Sequence, residues 1–247
     1  MQSVHRAFIV LEMIAERGGH ASVGQIAAGT SLPVGSVHRM LRSLLTAGYV
    51  RQLPTRDYAL GPGLIRLGAS AHSILGVWAS THLSAVVEQL GETANLATLD
   101  RDAVVYLAQV PSPHPMRMFT EVGRRVSAHS TGVGKALLSQ LPEHEVLALI
   151  ARTGLAAQTP RTITDPHSLL KELSRIRRTG YALDDAEQES GVRCIAVPIP
   201  DTPSPLAVSI SGPVARLPSA LVKVASQVLI ETAHRLADAL AQPVRLT

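Results

Sequence analysis

The chain has 247 residues, 46% of them hydrophobic and 17% charged, with a formal net charge of +4. That length favours two domains over one, the composition excludes a disordered chain, and an aromatic content of only 3% leaves the cores to Ala, Val, Leu and Ile. A single cysteine, Cys194, excludes an intrachain disulfide framework; the apolar runs are too short to span a membrane, and Glu12 breaks the one that could start a signal peptide, so a cytoplasmic protein is expected.

Taken in order, Ser3 to Arg17 reads as a helix with Val4, Phe8, Leu11 and Ile14 inward, ended by Gly18-Gly19. A short helix follows, with Ser22 as N-cap and an apolar stripe of Val23, Ile26 and Ala27; Gly29-Thr30-Ser31 forms its turn. Pro33 suits the first position of the next helix, and Gly48 stops it. On a helical wheel Val34, Val37, Leu41, Leu44 and Leu45 share one face, with Met40 at its edge. Gly35, Ser36, His38, Arg39, Arg42 and Ser43 share the other, which carries no acid. A solvated face usually mixes both signs, so this one suits a polyanion, and Gly35 and Ser36 leave room for a phosphate.

After Gly48, Tyr49–Leu53 and Tyr58–Leu60 flank a Pro54-Thr55-Arg56-Asp57 turn and read as a hairpin. Two helices and a hairpin in this order predict a winged helix-turn-helix that binds double-stranded DNA, with Arg51 and Arg56 at the phosphate backbone. A small helical domain with an incidental hairpin would not require the charge pattern. Residues 1–62 carry six arginines against three acids, and the rest of the chain is nearly balanced.

Gly61-Pro62-Gly63 marks a boundary, with a linker helix predicted from Leu64 to His72. The expected division is 1–62, 63–76 and 77–247. In the last segment a helix is predicted over Val77–Leu90, with Leu83, Val86, Val87 and Leu90 inward. Strands follow at Thr93–Leu99, Ala103–Leu107 and Met116–Phe119. Helices are expected from Thr131 to Leu141, from Pro142 to about Ile150, and from an Asp165 cap to Arg178. Val192–Ile199 and Leu206–Ile210 are apolar strands, and Pro218 starts a final helix to Leu240 with Leu221, Ala225, Val228, Thr232 and Leu236 inward. The mixture predicts an α+β sensor-like domain with helices packed on an antiparallel sheet.

Several of these segments together carry a resemblance: SVHRAFIVLEMIAE, LPVGSVHRMLRSLLTAGYV, HPMRMFTEVGRRVSAHSTGVGKALL, TPRTITDP, GVRCIAVPI and SISGP. In that order they resemble the IclR family of bacterial transcription regulators. The resemblance implies a winged helix-turn-helix, a linker helix and a C-terminal effector-binding domain of GAF-like fold. It also implies homodimers, often paired into homotetramers, that respond to small metabolites, commonly organic acids, and that more often repress than activate. A single recognition helix covers few base pairs, so a pseudo-palindromic operator is expected.

Ser130-Thr131-Gly132-Val133-Gly134-Lys135-Ala136 is not a Walker A loop, because His129 replaces its first glycine and Ala136 the Mg²⁺-binding hydroxyl. The residues leave two readings, an anion-binding helix N-terminus or a plain capped helix; the resemblance implies that Gly132 and Val133 border the effector pocket. Val133 is larger than the small residues often found in that turn, which would narrow the pocket or make it more apolar. Ser209 and Ser211 point the same way from one strand and can donate to one carboxylate; the alternative is a solvated pair. The resemblance also brings Cys194 and Asp184 to the pocket wall. The alternative to a regulator is a metabolite-binding protein or an enzyme that uses the sensor domain, with Cys194 as nucleophile, but no base is identified for it, and a buried inert thiol is the simpler reading. No histidine pair has the spacing of a helical metal site, so neither metal nor cofactor is expected.

Overall fold

The computed structural model describes residues 2–75, 77–118 and 121–241, with side chains described over 3–70, 78–118 and 121–241. These divide into two units, Met1–Ala71 and His72–Thr247. Among the described residues no helix is long and apolar enough to cross a membrane.

The first unit begins with α1 (Gln2–Glu16), ended by Gly18 and Gly19 at positive φ, then β1 (His20–Ala21) and α2 (Val23–Thr30). A capping box starts α2: Ser22 Oγ accepts from the Gln25 N–H, and Gln25 Oε1 accepts from the Ser22 N–H at 2.9 Å. Gly29 lies inside α2 and not in the turn as expected, because a Cβ there would sit 2.0 Å from Met13 Cε. The turn is made by Ser31, at φ 55°, and the next helix, α3, spans Val34–Thr46 with Pro33 flanking it. Gly48 closes α3 as a Schellman motif: its N–H donates to Leu45 O and that of Tyr49 to Leu44 O. β2 (Val50–Gln52) and β3 (Tyr58–Leu60) form the wing, and β1 pairs with β3 to give the order β1-β3-β2, all antiparallel. β1 is two residues long, too short to leave a sequence pattern.

The core of this unit comprises Val10, Leu11, Ile14, Ile26, Val37, Leu41 and Val50, with Leu64 packed beside it from the start of α4 (Gly63–Leu75). Two expectations about helix faces are corrected here. Val4 and Phe8 are exposed, because only the last two turns of α1 reach the core. Val34 and Leu45 are also exposed; α3 rests on the narrower stripe of Val37 and Leu41, with Met40 and Leu44 half-buried.

The second unit is a six-stranded antiparallel sheet in the order β6-β5-β4-β9-β8-β7. Its strands are β4 (Thr93–Asp100), β5 (Ala103–Val110), β6 (Arg125–Ser127), β7 (Ala182–Asp185), β8 (Val192–Ile199) and β9 (Leu206–Pro213). Alternation along the strands sorts two faces. Leu96, Ile195, Val197, Val208 and Ile210 pack against α5 (Val77–Leu90) and α9 (Ser219–Ala241), where Trp78 sits half-buried. Ala97, Ala196 and Ala207 meet α6 (Gly132–Leu138), α7 (Glu143–Thr153) and α8 (Pro166–Thr179), small side chains that let these helices approach closely.

The strand expected at Met116–Phe119 is absent over 116–118, and Phe119 lies outside the described residues. The edge strand is β6 instead, too short to be seen as a pattern. β7 was not foreseen. In α9 Val222 points inward and Leu221 outward; Ala225, Thr232 and Leu236 are inward as expected.

Candidate functional site

In the first unit, α3 carries Gly35, His38, Arg39 and Arg42 on its exposed side, with Ser36 half-buried. Arg39 Nη2 donates to Ser36 Oγ at 3.3 Å, which holds the guanidinium along the helix. Arg51 lies on β2 and Arg56 in the wing turn, at φ 70°, both exposed. None of these four arginines has an acidic partner among the described residues. Packing does not require glycine at 35: a Cβ there would meet nothing within 4 Å. Glycine at this place therefore leaves the backbone of the first turn open on its outer side. Arg6 on α1 shares a groove with Ser36, Arg39 and Ser43. Sequence reading missed it because α1 was assigned only a packing role.

In the second unit, register brings the expected residues to one face of the sheet. Asp184, Cys194 and Ser211 are cross-strand partners in a row, as are Ala196, Ser209 and Asn95 in the next. Gly132 presses on this face, since a Cβ there would lie 2.9 Å from Cys194 Sγ. The Val133 side chain is fully buried in the core under α6 to α8, while its N–H faces the Cys194 sulfur. The thiol therefore lies against both the first turn of α6 and Ser209. An open groove near β6, lined by Arg124, His129, Gln158 and Gln188 among others, contains none of the six residues.

Burial sets the chemistry. The Cys194 thiol is pushed up to about 12, chiefly by desolvation and then by the nearby Asp184 carboxyl, so it stays protonated and is a poor nucleophile. Desolvation also lifts the Asp184 carboxyl to about 7, although Oδ1 accepts from the Glu187 N–H at 2.7 Å and the Gln188 N–H at 3.3 Å. Tyr106 is raised by burial, with Cys194 and Asp184 near enough to add to the effect. Behind Asp184, Lys135 is 1% exposed; its Nζ donates to Leu183 O at 2.6 Å and pairs with Glu187, with Glu172 at 3.9 Å. This ammonium ties α6 to β7, through Leu183, and to the turn after it, through Glu187. Ser209 is fully buried, and the neighbour of its hydroxyl is the neutral Cys194 thiol, a weak acceptor.

Tyr106, Asn95, Lys135 and Gln109 were not singled out from sequence. Alternation in Thr93-Ala94-Asn95 was a usable signal for Asn95. A register shift between Leu96 and Ala97 hid which residues of β5 would face it.

Residues 3–54 match the IclR helix-turn-helix domain, and residues 70–238 match the C-terminal domain of the bacterial transcriptional regulator IclR. The chain is 36% identical over 224 residues to the transcriptional repressor IclR of Escherichia coli, covering 88% of this chain and 82% of that protein. Its structure resembles an IclR transcriptional regulator from Alicyclobacillus acidocaldarius, with a TM-score of 0.84, 27% identity and coverage of 97% and 98%. An IclR homologue from Microbacterium hydrocarbonoxydans, complexed with 4-hydroxybenzoate, shares the fold at a TM-score of 0.77 and 24% identity, over 96% and 98% of the chains. Matched through both units, and by a relative along most of its length, the chain belongs to the IclR family of bacterial transcriptional regulators.

Proposed function

We propose that this regulator is a cytoplasmic repressor that binds a pseudo-palindromic operator as a homodimer, or as two dimers paired into a homotetramer. A small organic acid held by the second unit would set its affinity for that operator. The observation that carries the reading is the outer face of α3, where Arg39 and Arg42 stand without acidic partners beside a glycine that packing does not need. Gly35, Ser36, His38, Arg39 and Arg42 enter or border the major groove, and Arg51 and Arg56 neutralise phosphates. The similarity to a named repressor supports repression as the outcome. Residues 63–76 act as the linker between a DNA-binding domain over 1–62 and an effector domain over 77–247.

The effector site consists of Gly132, Val133, Asp184, Cys194, Ser209 and Ser211. The buried Ser209 hydroxyl without an acceptor supports a ligand at this place. Asp184, lifted to about 7 and so protonated in part near neutrality, can donate to a hydroxyl or carbonyl on the acid. We read the unit as a sensor; its thiol, held protonated by burial, is a poor nucleophile.

A gel shift of the protein against its own upstream DNA, at two salt concentrations and with a panel of acids, tests the reading. An active acid should change operator affinity about 5- to 150-fold. A Ser209→Ala, Ser211→Ala double variant should bind the operator normally and lose most of that response. A response equal to the wild type's would put the effector elsewhere.

A further inference from the structure

Asp184, Cys194, Ser209 and Ser211 are all buried, so a ligand that reaches them must pass a cover that moves. Two covers are firmly held. Every residue of α6 is buried. The turn after β7 is tied by the Lys135 ammonium on Glu187, by the Glu187 and Gln188 N–H groups on Asp184, and by Thr162 Oγ1, which donates to Glu187 O at 2.6 Å. The third cover is the segment 112–118, between β5 and β6; residues 113–117 are exposed, and none of the segment belongs to a helix or strand. Polar ties hold it at its ends and in its middle. Thr93 is the cross-strand partner of Ser211, in the row that runs on to Cys194 and Asp184. Its Oγ1 accepts from the Ser112 N–H at 3.1 Å and donates to Met118 O at 3.2 Å, which pins both ends of the segment beside that row. In the middle, Arg216 Nη2 donates to Met116 O at 2.9 Å. Arg216 is itself set by Glu92: Nε pairs with Oε1, and Nη2 donates to Oε2 at 2.9 Å. Glu92 is 2% exposed, and β9 makes room for it next to Ser211, since a Cβ at Gly212 would lie 2.3 Å from Oε2. A buried carboxylate is costly to leave unpaired, so the guanidinium keeps one position.

We propose that residues 112–118 are a strap through which a ligand enters the buried row, and that Glu92 and Arg216 are positioning residues that hold it shut through Met116 O. The inference rests on the effector reading above for what passes, and it adds the way in and the residues that control it. An exposed segment outside the sheet, held by a few polar ties, opens at lower free energy than α6 or the buried turn after β7. Opening it bares the Thr93–Ser211 end of the row and leaves the sheet intact.

The chain supplies its own reporter, because Cys194 is its single thiol and stands in that row. The rate at which methyl methanethiosulfonate modifies it, followed by mass on the full-length protein, reads how often the site opens. Glu92→Gln combined with Arg216→Gln removes both charges together, so no lone charge is left buried, and a glutamine at 216 is too short to reach Met116 O. Labelling should quicken about tenfold or more, and amide hydrogen exchange should rise in 112–118 and not in α6. The gain should stay flat in low urea, because opening a strap exposes little surface. An unchanged labelling rate overturns the proposal. So does a gain that climbs with urea at the slope of global unfolding, which would make the pair a structural tie and no more. If the charge variant does not fold, Thr93→Val keeps the side chain's shape, unties both ends of the strap and carries the test with the same outcomes. Gln188→Ala loosens the opposite cover by releasing Ser130 Oγ, which donates to Gln188 Oε1 at 2.6 Å. Faster labelling in that variant and not in the strap variants would put the entrance there and overturn the proposal. The effector reading fails separately: if no acid of the gel-shift panel binds while labelling follows the strap, the acid assignment falls and access through the strap stands.

Discussion

Gly35 and Gly134 both sit in helices, for opposite reasons. A Cβ at 134 would lie 2.1 Å from Ala128 O, so α6 cannot lie where it does with any other residue. A Cβ at 35 would touch nothing. Gly35→Ala should therefore stabilise the first unit by about 0.5–1 kcal/mol while weakening operator binding, because the new methyl stands where DNA approaches. Urea melts and gel shifts on the same variant check this, and stabilisation with unchanged DNA affinity would remove Gly35 from the interface. Asp184 gives a pH signature. Its folded carboxyl stands at about 7 against an ordinary 3.8, so between those values the folded protein keeps a proton that the unfolded chain has lost. Stability should fall as pH rises from about 4 to about 7 and then level off. The full shift corresponds to about 4 kcal/mol. Asp184→Asn keeps the acceptor for the Glu187 and Gln188 N–H groups and cannot ionise. It should match wild type near pH 4 and exceed it in urea midpoint near pH 8 by up to that amount; an equal difference at both would mean that the carboxyl's ionisation is not the cause.

Among elements, α3 and the wing should answer mutation differently. If Arg39 or Arg42 reads a guanine bidentately, its alanine variant should cost about 1–3 kcal/mol and relax specificity at one base pair. Arg51→Ala and Arg56→Ala should weaken all sequences alike and lower the salt slope by about one ion per lost phosphate contact. Gel shifts across a salt series on operator and scrambled DNA separate the two behaviours. Most of these elements were legible because their ends are written in local chemistry: Ser22 with Gln25, Gly48, Asp165 and Gly180 each act within a turn. Faces were less legible. Val4, Phe8, Val34, Leu45 and Leu221 obey helical periodicity and still point outward, since periodicity fixes a stripe but not how much of it a core covers. In the candidate site, Ser209 and Ser211 could be paired from strand spacing alone. Asn95, Tyr106 and Lys135 join them only through register and through the turn at 183–187, which are long-range facts.

For the whole molecule, assembly is the question that one chain raises. Val4, Phe8, Leu64 and Leu67 line an apolar groove of the first unit, with Phe8 59% exposed. Large apolar groups left this open on a small domain suit a second copy. Light scattering should return a dimer or tetramer, and Phe8→Asp should shift it toward monomer and weaken operator binding more than about tenfold, since the two half-sites would no longer be bound together. A monomer that holds its operator tightly would contradict the symmetric reading.

The chain has a single tryptophan, Trp78, which stands in the first turn of α5 and packs half-buried on the core of the second unit. Indole emission from this protein therefore comes entirely from the effector-side unit, while the DNA-binding unit contributes tyrosines, Tyr49 and Tyr58, and no indole. If DNA is held by the first unit alone, as proposed, it touches no indole, and a shift of the indole band on adding it would report a change passed on to the second unit. A titration with DNA alone, read at the tryptophan band, would thus measure the coupling between the two functions directly, before any effector has been identified.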